Sequence, residues 1–322
     1  MTDPWIPPQW LQAWWALLGL LVGSFLNVAI HRYALEGETV NRPRRSRCPS
    51  CRTPLSWKEN VPLVSWIVQL GRCRTCGWRI PLRYPLVEAL NAVLWWLAAS
   101  QWDVAQGDVA QGSVAVQIGL CLVRSVALSA LLVATFVDFD CFEIPDGVSI
   151  GGIVLAPVAV LLLPALHDST SLALWMTPGH LAPVTRLAAL TACLAGMAVG
   201  AGVLWGIGWA GSRLYGRDAM GLGDVKLLAA GGGFLGPGAV LGALMIASLI
   251  ASVFGVLNLA RFYLLLRSRA KARGRRVPVS SSLRVARVAG RYVPFGPYLA
   301  LGIAVLLLYW RYVAEFLRYG WL

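Results

Sequence analysis

Apolar residues in this chain fall in long unbroken runs, not in the spaced rows of a water-soluble helix or strand. The runs lie at about 10–31, 86–100, 116–137, 147–166, 187–211, 222–236, 238–266 and 295–317. A helix needs about 20 residues to cross a bilayer, so the pattern predicts an all-α polytopic membrane protein with about eight transmembrane helices. The second and sixth runs are the shortest. A polar stretch at 32–85 separates the first run from the second, and a basic stretch at 267–294 precedes the last. The domain reading is therefore a first transmembrane helix in 1–31, a loop unit in 32–85, and a membrane core in 86–322 that carries the basic loop.

Composition sharpens this. The 322 residues are 57% apolar and 13% charged, with a mean hydropathy of +0.64. Soluble domains carry about 25% charged residues, so an ordinary soluble domain, a disordered chain and a disulfide scaffold are excluded. The net charge is +13, from 28 Lys+Arg against 15 Asp+Glu. Eleven of the basic residues lie between Arg32 and Arg83, and nine between Arg267 and Arg291. Both clusters sit between apolar runs, so the positive-inside rule makes them cytoplasmic loops facing anionic lipid heads, and no nucleic-acid partner is expected. Residues 1–9 and 101–115 have no Lys or Arg, and 167–186 has only Arg186. Eight spans then place both termini outside.

The N-terminus has no basic stretch before its apolar run, so it reads as a retained span and not a cleavable signal. Trp10, Trp14, Trp15, Trp95, Trp96, Trp102, Trp310 and Tyr312 read as an interfacial aromatic belt. The sequence DVAQG occurs at 103–107 and again at 108–112, a duplication within an outside loop.

Cys48, Cys51, Cys73 and Cys76 form two C-x2-C pairs with 21 residues between them. Each pair sets two thiolates on one tight turn, and two such turns complete a tetrahedral zinc site. A closed four-thiolate site has no open position, so this zinc would be structural. Cys121, Cys141 and Cys193 fall in or beside spans and read as small buried side chains.

Acids stand where acids are costly. Asp138, Asp140, Glu143 and Asp146 crowd the end of the third run, and Asp224 starts the sixth. Both places lie at the same membrane face, so Asp138 and Asp224 can converge. Two carboxyls in one desolvated site share a proton: one activates water, the other polarises a peptide carbonyl. His31, His167 and His180 offer no partner for a serine or cysteine nucleophile, the last two lying in an outside loop.

Several segments, taken together, resemble the bacterial type IV prepilin peptidase family, or leader peptidase/N-methyltransferases. They are GSFLNVAIHR (23–32), the four-cysteine loop, NVPLVSW (60–66), RYPLVE (83–88), VDFDCFEIPD (137–146), GLGDVKLLAAGG (221–232) and PFGPYLALG (294–302). The resemblance implies a multi-pass enzyme of the bacterial inner membrane with both termini periplasmic. It implies cleavage of the leader from type IV prepilins or type II secretion pseudopilins, then methylation of the new N-terminus from S-adenosylmethionine. Carried over motif by motif, the catalytic aspartates fall on Asp138 and on Asp224 of GxGD. Asp146 reads as the cap of the fourth span, and Lys226 as a partner that tunes the two acids or as an interfacial lysine. Gly19, Gly23, Ser24, Asn27 and His31 form a small-polar stripe suited to close helix packing or to a substrate groove. Glu88 and Asn91 form a polar pair at the start of the second span; Glu88 is the candidate for methyl transfer or for positioning the substrate amine, with a basic residue of the loop as its partner. No S-adenosylmethionine fingerprint of the strand–GxGxG kind is visible. The alternatives are a GxGD protease of other substrates without methylation, and a proton-coupled transporter, which would show inverted repeats.

Overall fold

The computed structural model describes residues 8–33, 46–101, 114–167, 185–216, 220–272 and 294–319. Its helices are α1 (Pro8–Tyr33), the short α2 (Val64–Val68), α3 (Arg83–Ser100), α4 (Val114–Cys141), α5 (Asp146–Leu162), α6 (Arg186–Tyr215), α7 (Leu222–Ala272) and α8 (Gly296–Tyr319). By length and composition four helical stretches suffice to cross a membrane: Gln9–Tyr33, Val114–Cys141, Arg186–Tyr215 and Leu222–Ser268.

The last of these is two helices. Gly236 sits at φ 80°, ψ 172°, backbone that essentially only glycine adopts. Pro237 follows at a position where its missing N–H costs nothing and its fixed φ starts a new helix. Counting 222–235 and 237–272 separately, the described residues hold eight long helical segments on the eight apolar runs.

The segment 222–235 is about 21 Å long, short for a bilayer, and it is the centre of the bundle. Leu227, Leu228 and Leu235 are buried in one apolar cluster with Val240, Leu299, Ile303 and Leu306. On its other side α6 comes into backbone contact: a Cβ on Gly196 or Gly232 would overlap the facing carbonyl. A helix wrapped by others need not match the lipid thickness itself. The neighbouring α6 has clean ends. Thr185 accepts from the Ala188 N–H at 3.2 Å, and Gly216 closes the helix at φ 65°.

An N-terminal pair, α1 and α3, packs on α4 through Leu26, Ile30, Val87, Leu132, Val133 and Val137. The small-residue stripe does the close packing expected of it: a Cβ at Gly23 would stand 2.8 Å from the Glu88 Cα. Polar groups deep in this pair satisfy one another. Asn91 donates to the Gly19 carbonyl (2.7 Å) and accepts from Ser129 (2.8 Å), which in turn accepts from Trp95 (2.8 Å).

Some anchors move inward. Trp10, Trp14, Trp96 and Tyr312 are exposed as a lipid-facing belt requires, but Trp95 and Trp310 are buried and Trp15 donates to Ser125 at 2.8 Å. Those three are packing and hydrogen-bonding residues of the bundle. His167 is also not in an outside loop. It is fully buried, with Nε2 3.0 Å from the Gly233 carbonyl, which closes a short 3-10 turn, Pro164–His167, onto the central helix. Cys121 and Cys193 are buried as expected, while Cys141 is half-buried. Trp102, His180, the DVAQG duplication and most of 267–294 lie outside the described residues.

Candidate active site

Asp138 lies in the last turn of α4 and is 6% exposed. It accepts a hydrogen bond from the backbone N–H of Gly296, the first residue of α8. A larger residue there would displace Asp138, since a Cβ on Gly296 would stand 2.5 Å from Asp138 Oδ2. Asp224, half-buried in the first turn of α7, lies within electrostatic range of Asp138. Ile144 holds the two neighbourhoods together. Its side chain packs against the Cα faces of both Gly296 and Gly223, at 3.1 and 3.3 Å from where their Cβ atoms would stand. Asp138 and Asp224 are thus brought to one face by three helix ends and one buried isoleucine.

The other acids of the turn are engaged elsewhere. Asp140 takes two hydrogen bonds of 2.7 Å from Arg83 Nη1, and Arg83 also donates to the Phe136 carbonyl (2.9 Å) and covers the Phe136 ring. Asp146 is not the cap of α5; Pro145 holds that position and Asp146 is the first helical residue. Its carboxylate, 66% exposed, pairs with Lys226 Nζ at 2.8 Å, so Lys226 reaches Asp146. Glu143 is exposed.

In the N-terminal unit, Glu88 is 9% exposed in the second turn of α3. It accepts from the Leu63 N–H (2.8 Å) and from the side chains of Ser24 and Asn27 on α1. The donors found are thus neutral groups of α1 and of the chain before α2, where a basic loop residue was expected. Leu63 sits at φ 58°, ψ −49°, and the Val64 N–H reaches the Pro62 carbonyl at 2.6 Å. This is the strained form of the three-residue turn, rare outside glycine and costing about 1–3 kcal/mol. The Glu88 carboxylate holds that turn. Beside it a cavity of about 190 Å³ opens between α1 and the loop, lined by Leu21, Ser24, Phe25, Val28, Ser46, Asn60 and Pro62.

The four cysteines converge. All four Sγ atoms lie within 4.8 Å of one another, with Cys48–Cys76 at 3.9 Å and Cys51–Cys73 at 4.0 Å. A tetrahedral site with Zn–S bonds of about 2.3 Å sets its sulfurs about 3.8 Å apart, so the donor set fits. The two turns match: Arg52 N–H to Cys48 carbonyl and Gly77 N–H to Cys73 carbonyl, both 2.9 Å. Arg52 (φ 58°) and Gly77 (φ 70°) occupy equivalent left-handed positions. Hydrogen bonding with Thr53 brings the Cys51 thiol down to about 6, whereas burial pushes Cys48 up to about 11.

Arg83, Ile144, Gly296 and Leu63 were not singled out by the sequence reading. Each acts on a residue far away in the chain. The trace in the sequence is that all four fall inside the quoted motifs: Leu63 in NVPLVSW, Arg83 in RYPLVE, Ile144 in VDFDCFEIPD and Gly296 in PFGPYLALG.

Comparison with known proteins bears on the same two units. Residues 17–102 match the model of the bacterial peptidase A24 N-terminal domain, and residues 125–256 match the type IV leader peptidase family. A prepilin leader peptidase/N-methyltransferase of Aeromonas salmonicida is 32% identical over 317 residues, covering 91% of this chain and 89% of that protein. One of the same name from Klebsiella pneumoniae is 35% identical over 237 residues, 72% of this chain and 88% of the relative. A third, from Myxococcus xanthus, is 36% identical over 244 residues; the match takes in 76% of this chain and 62% of that longer protein. No solved structure matches.

Proposed function

The chain belongs to the type IV leader peptidase family, and on that premise we propose that it cleaves the leader of type IV prepilins or type II secretion pseudopilins and methylates the new N-terminal amine. The proteolytic pair is Asp138 and Asp224. One carboxylate takes a proton from water as that water attacks the scissile carbonyl. The other, protonated, polarises the carbonyl oxygen and then passes its proton to the leaving amine. One observation carries the assignment. Of the described acids at this face, Asp140 and Asp146 are tied up in ion pairs and Glu143 is exposed to solvent, while Asp138 is buried with a backbone N–H and a second carboxyl for company. A pair that no cation bonds among the described residues can trade a proton; an ion-paired carboxylate cannot do so cheaply.

Methyl transfer belongs to the N-terminal unit. S-adenosylmethionine supplies a methyl group carried on a sulfonium cation. A fixed buried carboxylate complements a sulfonium or an amine, and among the described residues of this unit Glu88, beside the cavity at Ser24, is the buried carboxylate. Zinc in the four-thiolate site folds the loop and takes no part in the reaction. The enzyme sits in the bacterial inner membrane with the cysteine unit cytoplasmic and both termini periplasmic, a placement supported by the basic residues at 32–83 and 267–291.

The test is purified enzyme with a prepilin peptide, read by mass spectrometry with and without S-adenosylmethionine. Cleavage followed by a methyl increment is the expected result. Cleavage without the increment would favour a protease of another substrate class.

A further inference from the structure

The four cysteines hold a unit that does not simply hang from the membrane. The segment 60–63 meets α1 at Leu21, Ser24, Phe25 and Val28 across the cavity, and Leu63 is hydrogen-bonded to Glu88 of α3. α1 ends at Tyr33, with His31 and Arg32 in its last turn. At 1.5 Å per residue, Ser24 lies roughly 13 Å back from that end. The chain entering α2 is therefore level with the membrane-embedded part of α1, not beyond it.

From that level α2 runs with one face on its own unit and the other bare. Trp66 turns inward, its indole donating to the Ile80 carbonyl at 3.2 Å and packing on Gly71. Val64, Ile67, Val68 and Leu70 point away and are 54%, 63%, 63% and 84% exposed. Val64, Ile67 and Val68 fall on one helical face. Around this apolar face the unit is strongly basic: residues 46–83 hold seven Lys or Arg and one acid, Glu59. Lys58, Arg72, Arg74 and Arg79 are exposed.

We propose that the bare face of α2, with Leu70, is set into the inner leaflet of the membrane, its apolar side chains below the headgroups and the surrounding basic side chains on anionic phosphates. Three features favour lipid over a protein partner: the depth fixed by the Leu63–Glu88 bond, the tethers to α1 and α3, and a basic rim matching an anionic surface. The cysteine unit is then a wedge seated at the bilayer surface, and its strained turn at Leu63 is where the chain bends to enter.

The full chain in nanodiscs of phosphatidylethanolamine and phosphatidylglycerol tests this. An environment-sensitive fluorescent amino acid is placed at Ile67, in a second protein at Val68, and in a control at Arg79. Metal content is measured in each, to establish that the unit is folded. With brominated acyl chains, positions 67 and 68 should lose most of their emission and the control little, while aqueous iodide should give the reverse order. Phosphatidylglycerol-free discs should weaken the acyl-chain quenching. If iodide quenches position 67 or 68 as fully as the control, the proposal is wrong. It is equally wrong if those positions are shielded only after a prepilin peptide is added, which would make the face a substrate dock, or only in discs holding two copies.

Discussion

Glu88 and Asp138 are both buried carboxyls close to the inner ends of helices, and their surroundings differ in kind. Glu88 receives three donors from α1 and the strained turn at Leu63. Asp138 has the Gly296 N–H and, within electrostatic range, a second acid. A carboxylate has about four acceptor sites. With three of them filled, Glu88 is a charge fixed in direction, suited to orienting a cation or bracing a turn. Among the described residues Asp138 has the one donor, Gly296, which leaves lone pairs open for the proton transfer proposed above. The lesson is that burial alone does not mark an acid as catalytic; the supply of donors decides what a buried carboxyl can do.

The sharpest way to break the contrast is to remove charge from each side. Asp138→Asn or Asp224→Asn should lower leader cleavage by about a hundredfold or more, with membrane insertion and helix content unchanged by circular dichroism. Glu88→Gln keeps size and shape, and should reduce methylation of a pre-cleaved peptide while leaving much of the cleavage rate. A variant of Glu88 that loses cleavage and spares methylation would put the contrast the wrong way round.

Metal removal probes the N-terminal unit from another direction. Structural four-thiolate zinc contributes about 10 kcal/mol or more of folding energy in small domains, so Cys48→Ser or strong chelation should open residues 46–82 to proteases. Elemental analysis should find one zinc per chain before chelation. Undiminished protease resistance in the metal-free protein would show that the loop folds by packing alone.

Gly296→Ala makes a smaller and more local change. Its methyl would press on Asp138 Oδ2, so cleavage should fall by roughly tenfold, about 1.4 kcal/mol in the barrier, with methylation of a pre-cleaved peptide intact. Smallest of all is Lys226→Met. The Lys226–Asp146 pair is half-exposed, and such pairs contribute about 1 kcal/mol or less, so thermal stability and cleavage should stay near the parent values. A large loss there would move Asp146 into the site.

Sequence and structure agree where the signal is local. The apolar runs place the helices, and Gly236–Pro237 separates the sixth from the seventh because only that dipeptide breaks and restarts the backbone so abruptly. The cysteines are legible because two turns of fixed spacing carry the whole ligand set. What was hidden is long-range. Arg83 meets Asp140 from 57 positions away, and Glu88 meets Leu63 from 25; neither has a periodic trace. The aromatic belt was overdrawn because Trp95 and Trp310 have the same composition and position as lipid-facing anchors. Only helix rotation, set by packing partners, turns them inward. His167 shows the same limit: a histidine between an apolar run and a polar stretch reads as a loop residue until a glycine carbonyl is found opposite it.

The central claim is that Asp138 and Asp224 act as one catalytic unit, and comparing single with double substitutions tests it most directly. Cleavage rates are measured in nanodiscs for Asp138→Asn, for Asp224→Asn and for the two combined. Residues that work as a unit are strongly non-additive, so the double variant should be no slower than either single one. Losses that multiply, or a single variant that retains the parent rate, would contradict the shared mechanism.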